Sequence, residues 1–561
     1  MSKANLLNRL MLALMLVSVQ AVAGHDHDDH DHHDNGHDHS HMHLHDDAPI
    51  DPDADIGRVE FGAACGEAAS ATFDRALAMM HHMMYEQARG LYEQIVEAEE
   101  DCAMAHWGIA TTLFQPLWGT RPPLEDLERG WSLSQKAAGL TDSERELALI
   151  HATAEFFRAP DNADYATRQR RWSDAMEQAH ESYPDDLDIA ALFALSLLAE
   201  AQGADDPHPL HDRAEPLLRA VHAESPTHPG AIHYLIHCDD IDGRADRNLG
   251  MVEAYARIAP QVPHALHMPS HIYVRLGDWP EVIDWNRASA EAALNYPAGD
   301  YVSHHYPHAQ DYLVYAHLQR GEDDQARHVL EQTMAKGAMQ RTPISAFHVA
   351  TMPARIAVEQ RDWRQAAGLE VRQMPELPWD SPVGLWSESQ TWVARGLGAV
   401  HTEDLDAART ALERIRELRG KASDQGERAF ARYIGIDEHI VAGWLAHGEG
   451  DDEKAVADLR RAAEIEAAVE KHPITPGALL PPNEALGDLL MALDRHSEAL
   501  AAYQASDHIW PGRYNTLLGA IQSARATGDD EAAARWSGRL VEVAPESERT
   551  SIEDARELAA R

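Results

Sequence analysis

Residues 482–511 read PNEALGDLLMALDRHSEALAAYQASDHIWP. Apolar residues recur three and four apart in both halves, which predicts two amphipathic helices. Leu486, Gly487 and Leu490 fall on the first; Ala499, Tyr503 and Ser506 fall on the second. Pro511 stops that helix, because proline has no N–H to continue the ladder. A shift of 34 residues brings Ala533, Ser537, Leu540 and Pro545 to the places of Ala499, Tyr503, Ser506 and Pro511. Gly528 ends the helix between. A generic helical bundle would not keep this register. Small residues at fixed places let the two antiparallel helices of each unit approach closely.

Carried backward with gaps, the register finds further units. They are marked by Gly443, Gly450 and Ala455; by Trp392, Gly396, Ala408 and Leu412; by Ala354 and Ala366; and by Gly321 and Ala326. Earlier come Ser270, Tyr273, Gly277 and Val282, then Ala214, Leu218 and Pro226. Near the start, Ala76, Ala88, Tyr92, Ala110 and Leu113 repeat the pattern. Between 115 and 185 the register is lost, although a helix is expected over Asp142–Phe157. The pattern resembles tetratricopeptide repeats over most of residues 65–550. The resemblance implies an all-α solenoid of helical hairpins, a right-handed superhelix with an irregular helical insert around 115–185. The stretches HYLIHCDD (233–240), PHALHMPSHIYVRLGDW (263–279), HAQDYLVYAHLQRG (308–321) and DCAMAHWG (101–108) are similar to a bacterial subfamily of exported tetratricopeptide proteins. No activity comes with that resemblance, since a fold does not define a function.

In tetratricopeptide arrays, fixed positions of each first helix line a concave groove. Carried onto this chain, they fall on His233 and His237; on His264, His267 and His271; on His308, Asp311 and Tyr315; and on His348, Thr351 and Arg355. His233, His267 and Asp311 should then form one row, with His237, His271 and Tyr315 beside it. Two His at i and i+4 share a helix face and can grip one cation. The expected metal ligands are His233, His237, His264, His267, His271, His308 and Asp311. Such a set suits Zn or Cu, or non-haem Fe with fewer nitrogens. Pro269 interrupts the helix that carries His264, His267 and His271 and is expected to bend or restart it. Cys238 lies beside this face. Grooves that clamp a peptide carboxylate use Lys, Arg and Asn, whereas this one is rich in His. His81 and His82, inside a Met-rich run, are expected to be structural or peripheral. His304 and His305 are expected at the groove edge.

The chain has 561 residues, with 48 Lys and Arg against 93 Asp and Glu, a net charge of −45. That charge repels phosphate backbones and excludes nucleic acid as a partner. Of 36 histidines, ten lie in HDHDDHDHHDNGHDHSHMHLH: His25, His27, His30, His32, His33, His37, His39, His41, His43 and His45. The segment has no apolar face, so it is expected to be a disordered, metal-capturing tail. Before it, Lys3 and Arg9, an apolar stretch from Leu10 to Val19, and Ala21-Val22-Ala23 have the order of a signal peptide. The expected protein crosses the inner membrane and is periplasmic, soluble after cleavage and without a membrane span. Of three cysteines, Cys65 and Cys102 flank one hairpin and are expected to pair.

The expected organisation is a signal peptide (1–23) and a tail with linker (24–60). Then come N-terminal hairpins plus insert (61–185), central units with the His-lined groove (186–375), C-terminal units (376–550) and a tail (551–561). The sequence has no H-E-x-x-H, P-loop, G-x-S-x-G or C-x-x-C motif. Three functions stay open. One is an exported binding protein with a transition metal in its groove. The second is a metal-independent scaffold for a protein or peptide partner. The third is a metal-dependent enzyme.

Overall fold

Each hairpin must reverse the chain within a few residues, which takes one left-handed backbone conformation. A computed structural model of the protein describes residues 54–118, 121–204 and 206–560. From residue 277 onward the hairpin turns carry that conformation at Gly277, Gly321, Arg361, Glu403, Gly450, Asp494 and Gly528, with φ from 56° to 85°. In five of these turns the next residue is an aspartate, and four of them act as caps: Asp362, Asp404, Asp451 and Asp529. Each accepts a hydrogen bond from the backbone N–H three residues on and caps the second helix. This recurring turn, more than side-chain identity, is the repeat. Only the last two turns stand 34 residues apart; the earlier ones are 40 to 47 apart, because of longer helices, up to 21 residues in Arg428–Gly448, or longer connections, such as 368–381 and 467–481.

The fold is all-α, a succession of helical hairpins of tetratricopeptide type. Twenty-six helices and no strand occur among the described residues; two isolated bridges join Ala298 to Tyr301 and Val302 to Met339. The small-residue positions pack as expected. A Cβ on Gly487 or Gly519 would lie 2.7 or 2.2 Å from the Tyr503 ring. Gly108 stands against Tyr92 in the same way, at 2.5 Å. The stretch 115–185 also forms helices, Leu124–Ala138, Glu144–Phe157 and Tyr165–Ser182. Ser143 caps the helix expected there, which starts at Glu144. Cys65 and Cys102 are joined by a disulfide, with Cα atoms 5.2 Å apart.

Three expectations need correction. The end of the supposed linker is not free, because Ala54, Ile56 and Val59 are buried in the core. The supposed tail after 550 holds a helix, Ser551–Ala559, whose Ile552 and Ala555 pack inward. The third concerns the groove. The chain between helices Asp452–Glu466 and Pro482–Ala492 fills the space in front of the histidine helices. Lys471 Nζ lies 3.0 Å from Asp240, the Tyr312 hydroxyl donates to the Pro473 carbonyl at 3.0 Å, and Arg355 donates to the Gly477 carbonyl at 3.2 Å. Arg513, fully buried, donates to Tyr315 at 2.9 Å and to Glu484 at 3.0 Å and also binds Glu359. The positions expected to line an open groove are therefore interior. The signal peptide and the ten tail histidines lie outside the described residues, and no described helix is long and apolar enough to cross a membrane.

Candidate metal centre

The seven expected ligands are only 0–8 % exposed. They come from three first helices and one break. Pro229–Asp239 carries His233 and His237; Pro263–His267 carries His264 and His267. Pro269–Leu276 carries His271, and His305–Gln319 carries His308. Pro269 does restart the helix. Met268 stays helical (φ −54°, ψ −39°), so His267 and His271 keep their i, i+4 relation. The Ser270 hydroxyl donates to the His267 carbonyl at 2.7 Å across the break.

The expected row does not form. Instead the ligand atoms gather in trios, each within 4.8 Å: His267, His271 and His308 in one, His233, His237 and His264 in a second. A third trio, His81, Asp188 and His228, contains none of the expected ligands.

Hydrogen bonds decide what each trio can do, because an imidazole's outer partner fixes which nitrogen keeps its lone pair. In the first trio His267 Nδ1 faces Asn286 Oδ1 at 2.6 Å. The Asn286 amide donates to the Val282 carbonyl at 2.7 Å, so its oxygen is the acceptor and His267 Nδ1 carries the proton. His271 Nδ1 lies 2.9 Å from Asp240 Oδ2. Burial pushes the Asp240 carboxyl up, but Lys471, Arg275 and His271 outweigh it and hold it well below the usual range. An ionised Asp240 makes His271 Nδ1 the donor. Both Nε2 atoms are then bare, and they face each other at 3.0 Å.

His308 is oriented by a longer chain. Asp311 accepts from Arg355 (3.1 Å), Thr351 (3.0 Å) and His348 Nδ1 (3.1 Å). His348 Nε2 is therefore the acceptor from His308 Nδ1, at 2.8 Å. That leaves His308 Nε2 with its lone pair. Its ring centroid is 4.2 Å from that of His267. Asp311, expected as a ligand, instead orients one through His348. Burial, and next the neighbouring His271 for His267 and His267 for His308, push both rings well below the ordinary imidazole value. All three rings are neutral near pH 7 and offer lone pairs with no proton between them.

The second trio is less constrained. His233 Nδ1 donates to the His81 carbonyl at 2.5 Å, so its Nε2 is bare. His264 Nε2 is 3.1 Å away and can supply the proton. His264 Nδ1 and His237 Nε2 are buried without partners. The two trios adjoin, with ring centroids 5.6 Å apart for His237 and His271 and 6.1 Å for His264 and His267. Trp118 lies against His264 and His304 at 5.0 Å and His308 at 6.0 Å. It also lines a small cleft with His304 and His305, which places the cleft one side chain away from the histidines.

In the third trio His228 is satisfied, while His81 Nε2 lies 3.7 Å from Asp188 without a hydrogen bond. His228 Nδ1 accepts from the Ala231 N–H at 3.3 Å, so Nε2 donates to Asp188 at 3.3 Å. His81 Nδ1 pairs with the Tyr234 hydroxyl at 2.9 Å. His82, expected as structural or peripheral, is fully buried and bonds the Ile56 carbonyl and the Tyr255 hydroxyl, both at 2.8 Å. The Cys238 thiol donates to the His211 carbonyl, and burial pushes it up to about 12, so it does not serve the cluster as a thiolate. Asn286 and the filling segment around Lys471 escaped the sequence reading. Neither stands at a repeat position that marks it.

No protein-family model matches this chain, nor does any curated protein sequence. Among solved structures it is similar to a human IFIT1 dimer with m7Gppp-AAAA. That match has 12 % identity and a TM-score of 0.36, covering 86 % of this chain and 96 % of that one. Yeast Tom70 matches at 13 % identity and a TM-score of 0.30, over 88 % and 96 %. The APC/C hetero-tetramer Cut9–Hcn1 matches at 10 % and 0.28, over 88 % and 96 %.

Proposed function

We propose that this chain is a metal-binding helical-repeat protein whose interior trio His267, His271 and His308 holds one transition-metal ion. The observation that carries the reading is the pair of bare Nε2 atoms on His267 and His271, 3.0 Å apart. Two facing lone pairs repel unless a cation lies between them. Zn–N bonds of about 2.0–2.1 Å in tetrahedral geometry put ligand nitrogens roughly 3.3 Å apart, close to that spacing. Asn286, Asp240 and the His348–Asp311 pair supply the orienting partners that metal-bound imidazoles use. Three neutral nitrogens suit Zn or Cu, or non-haem Fe, and leave a coordination position for water or a small ligand. That open position keeps a metal-dependent reaction within the proposal. The second trio would take a further ion more weakly. The histidine tail would capture or buffer metal. The signal-like start and the Cys65–Cys102 disulfide support an exported, periplasmic protein of the bacterial subfamily it resembles.

The filled interior disfavours a peptide lying along the histidine helices. A protein partner would dock on the outer surface instead.

Co(II) titration tests the reading, in a variant whose ten tail histidines are Ser. One equivalent should raise visible absorption of a low-coordinate nitrogen site. His267→Ala/His271→Ala should abolish it with helicity unchanged. Equal absorption in both proteins would refute the assignment.

A further inference from the structure

Beside the segment that fills the interior lies a small cavity of about 70 Å³, room for a ligand of a few heavy atoms. Helices Pro382–His401, Arg428–Gly448 and Asp452–Glu466 build it, with Trp510 from beyond the next hairpin. Trp386 and Tyr433 stack at 4.9 Å and 23° and form an aromatic wall. Asp437 and Glu466 also line it, 9 % and 7 % exposed.

These carboxyls differ from their buried neighbours. Asp240 faces Arg275 and Lys471, and Asp311 faces Arg355. Glu359 and Glu484 share Arg513, and Glu388 holds Arg372 and Arg414. Asp437 has only neutral donors, Gln390 at 2.6 Å and Ser389 at 3.4 Å. Glu466 Oε1 accepts from the Trp510 indole at 2.9 Å, and its Oε2 is buried with no partner at all. The nearby cations are committed elsewhere: Lys471, in the cavity wall, binds Asp240, and Arg513 binds Glu359 and Glu484. A buried carboxyl oxygen without a donor is costly, and the pair lacks one positive charge. Aromatic faces beside two carboxyls are the lining that attracts an organic cation.

We propose that this cavity binds a small organic ammonium ion, its N–H groups donating to Glu466 Oε2 and Asp437 and its alkyl part lying on Trp386 and Tyr433. The site is independent of the metal centre, and either can exist without the other. Burial pushes Glu466 and Asp437 up to about 7, against the hydrogen bonds from Trp510 and Gln390. The other ionisable groups in the lining are Glu470, Lys471 and His472, with Arg513 beyond. Burial holds His472 down to about 3 and so leaves it neutral. An arriving ammonium favours the ionised carboxyls and therefore expels protons at neutral pH.

The test uses the full chain, n-butylammonium as probe and 1-pentanol as its neutral counterpart. Calorimetry and tryptophan fluorescence should show saturable butylammonium binding, with pentanol at least about tenfold weaker. Heats measured in two buffers at pH 7 should show proton release. Affinity should fall up to about tenfold per pH unit below 7, because protonated carboxyls lose the charge. Glu466→Gln keeps an acceptor for Trp510 and should weaken butylammonium by tenfold or more. Asp437→Asn should do the same and serves as the second variant if the first misfolds. Equal binding of pentanol, unchanged binding in both folded variants, or no saturation at millimolar butylammonium would each overturn the site.

Discussion

Two buried trios in this protein look alike as lists of residues and behave oppositely. His81, Asp188 and His228 lie within ligand distance of one another, as do His267, His271 and His308. In the first, a backbone N–H occupies His228 Nδ1, so the ring's proton points at the carboxylate. In the second, an amide and a carboxylate occupy both outer nitrogens, so the lone pairs point at each other. The first already holds an acidic acceptor for the His228 proton, with His81 Nε2 3.7 Å from the same carboxylate. The second lacks a positive centre. On the proposed reading, a metal site would be recognised by where its second partners leave the lone pairs, and the count of histidines would not reveal it.

The largest effect that would break this contrast is on metal affinity. His267→Ala/His271→Ala should weaken the core metal by a thousandfold or more, roughly 4 kcal/mol. The matching change in the other trio, His228→Ala, should leave metal content untouched. It should instead destabilise the fold by about 2–3 kcal/mol, since Asp188 loses a buried donor; urea unfolding reads this directly. If His228→Ala released metal, the contrast would fail. Asp240→Asn sharpens the comparison. It keeps a partner for His271 but removes the charge, and metal affinity should drop about 10- to 100-fold. His264→Ala should change the first equivalent by less than about tenfold, because it belongs to the adjoining trio.

Acid acts on the buried histidines around both trios. Burial holds His81 and His82 down to about 4 and His237 and His304 down to about 3. Unfolded histidines take up protons near pH 6.5, while these folded ones do not until pH 3–4. The unfolded state therefore binds more protons between those values. Metal-free protein should lose stability steadily as pH falls from 6.5 to 4 and show little histidine-dependent change above 7. Bound metal competes with protons for the same nitrogens, so its release should follow the same direction. A flat urea midpoint from pH 7 to 4 would contradict the buried neutral cluster.

The sequence made the hairpins legible because a hairpin needs few signals. Gly487 and Tyr503 mark the close approach, and Gly277, Gly321, Gly450 and Gly528 mark the turn. Arg361, Glu403 and Asp494 hold the same left-handed turn without glycine, so glycine does not mark every turn. The histidines were legible as a cluster because i, i+4 spacing puts them on one face. Their grouping was not. The row assumed an open groove and equal repeats, whereas unequal repeat lengths and the segment around Lys471 set the real neighbours. Asp311 shows the limit well. Its register position was read, but only the structure reveals that Arg355, Thr351 and His348 use its oxygens. Asn286 sits on a second helix, outside the face under scrutiny, and yet decides the tautomer of His267.

The most direct measurement is anomalous diffraction at the absorption edge of Zn or Cu, on crystals of the metal-loaded protein. The account predicts a strong peak about 2.1 Å from the Nε2 atoms of His267, His271 and His308. No peak in the interior, or one seated instead at His81, Asp188 and His228, would contradict it.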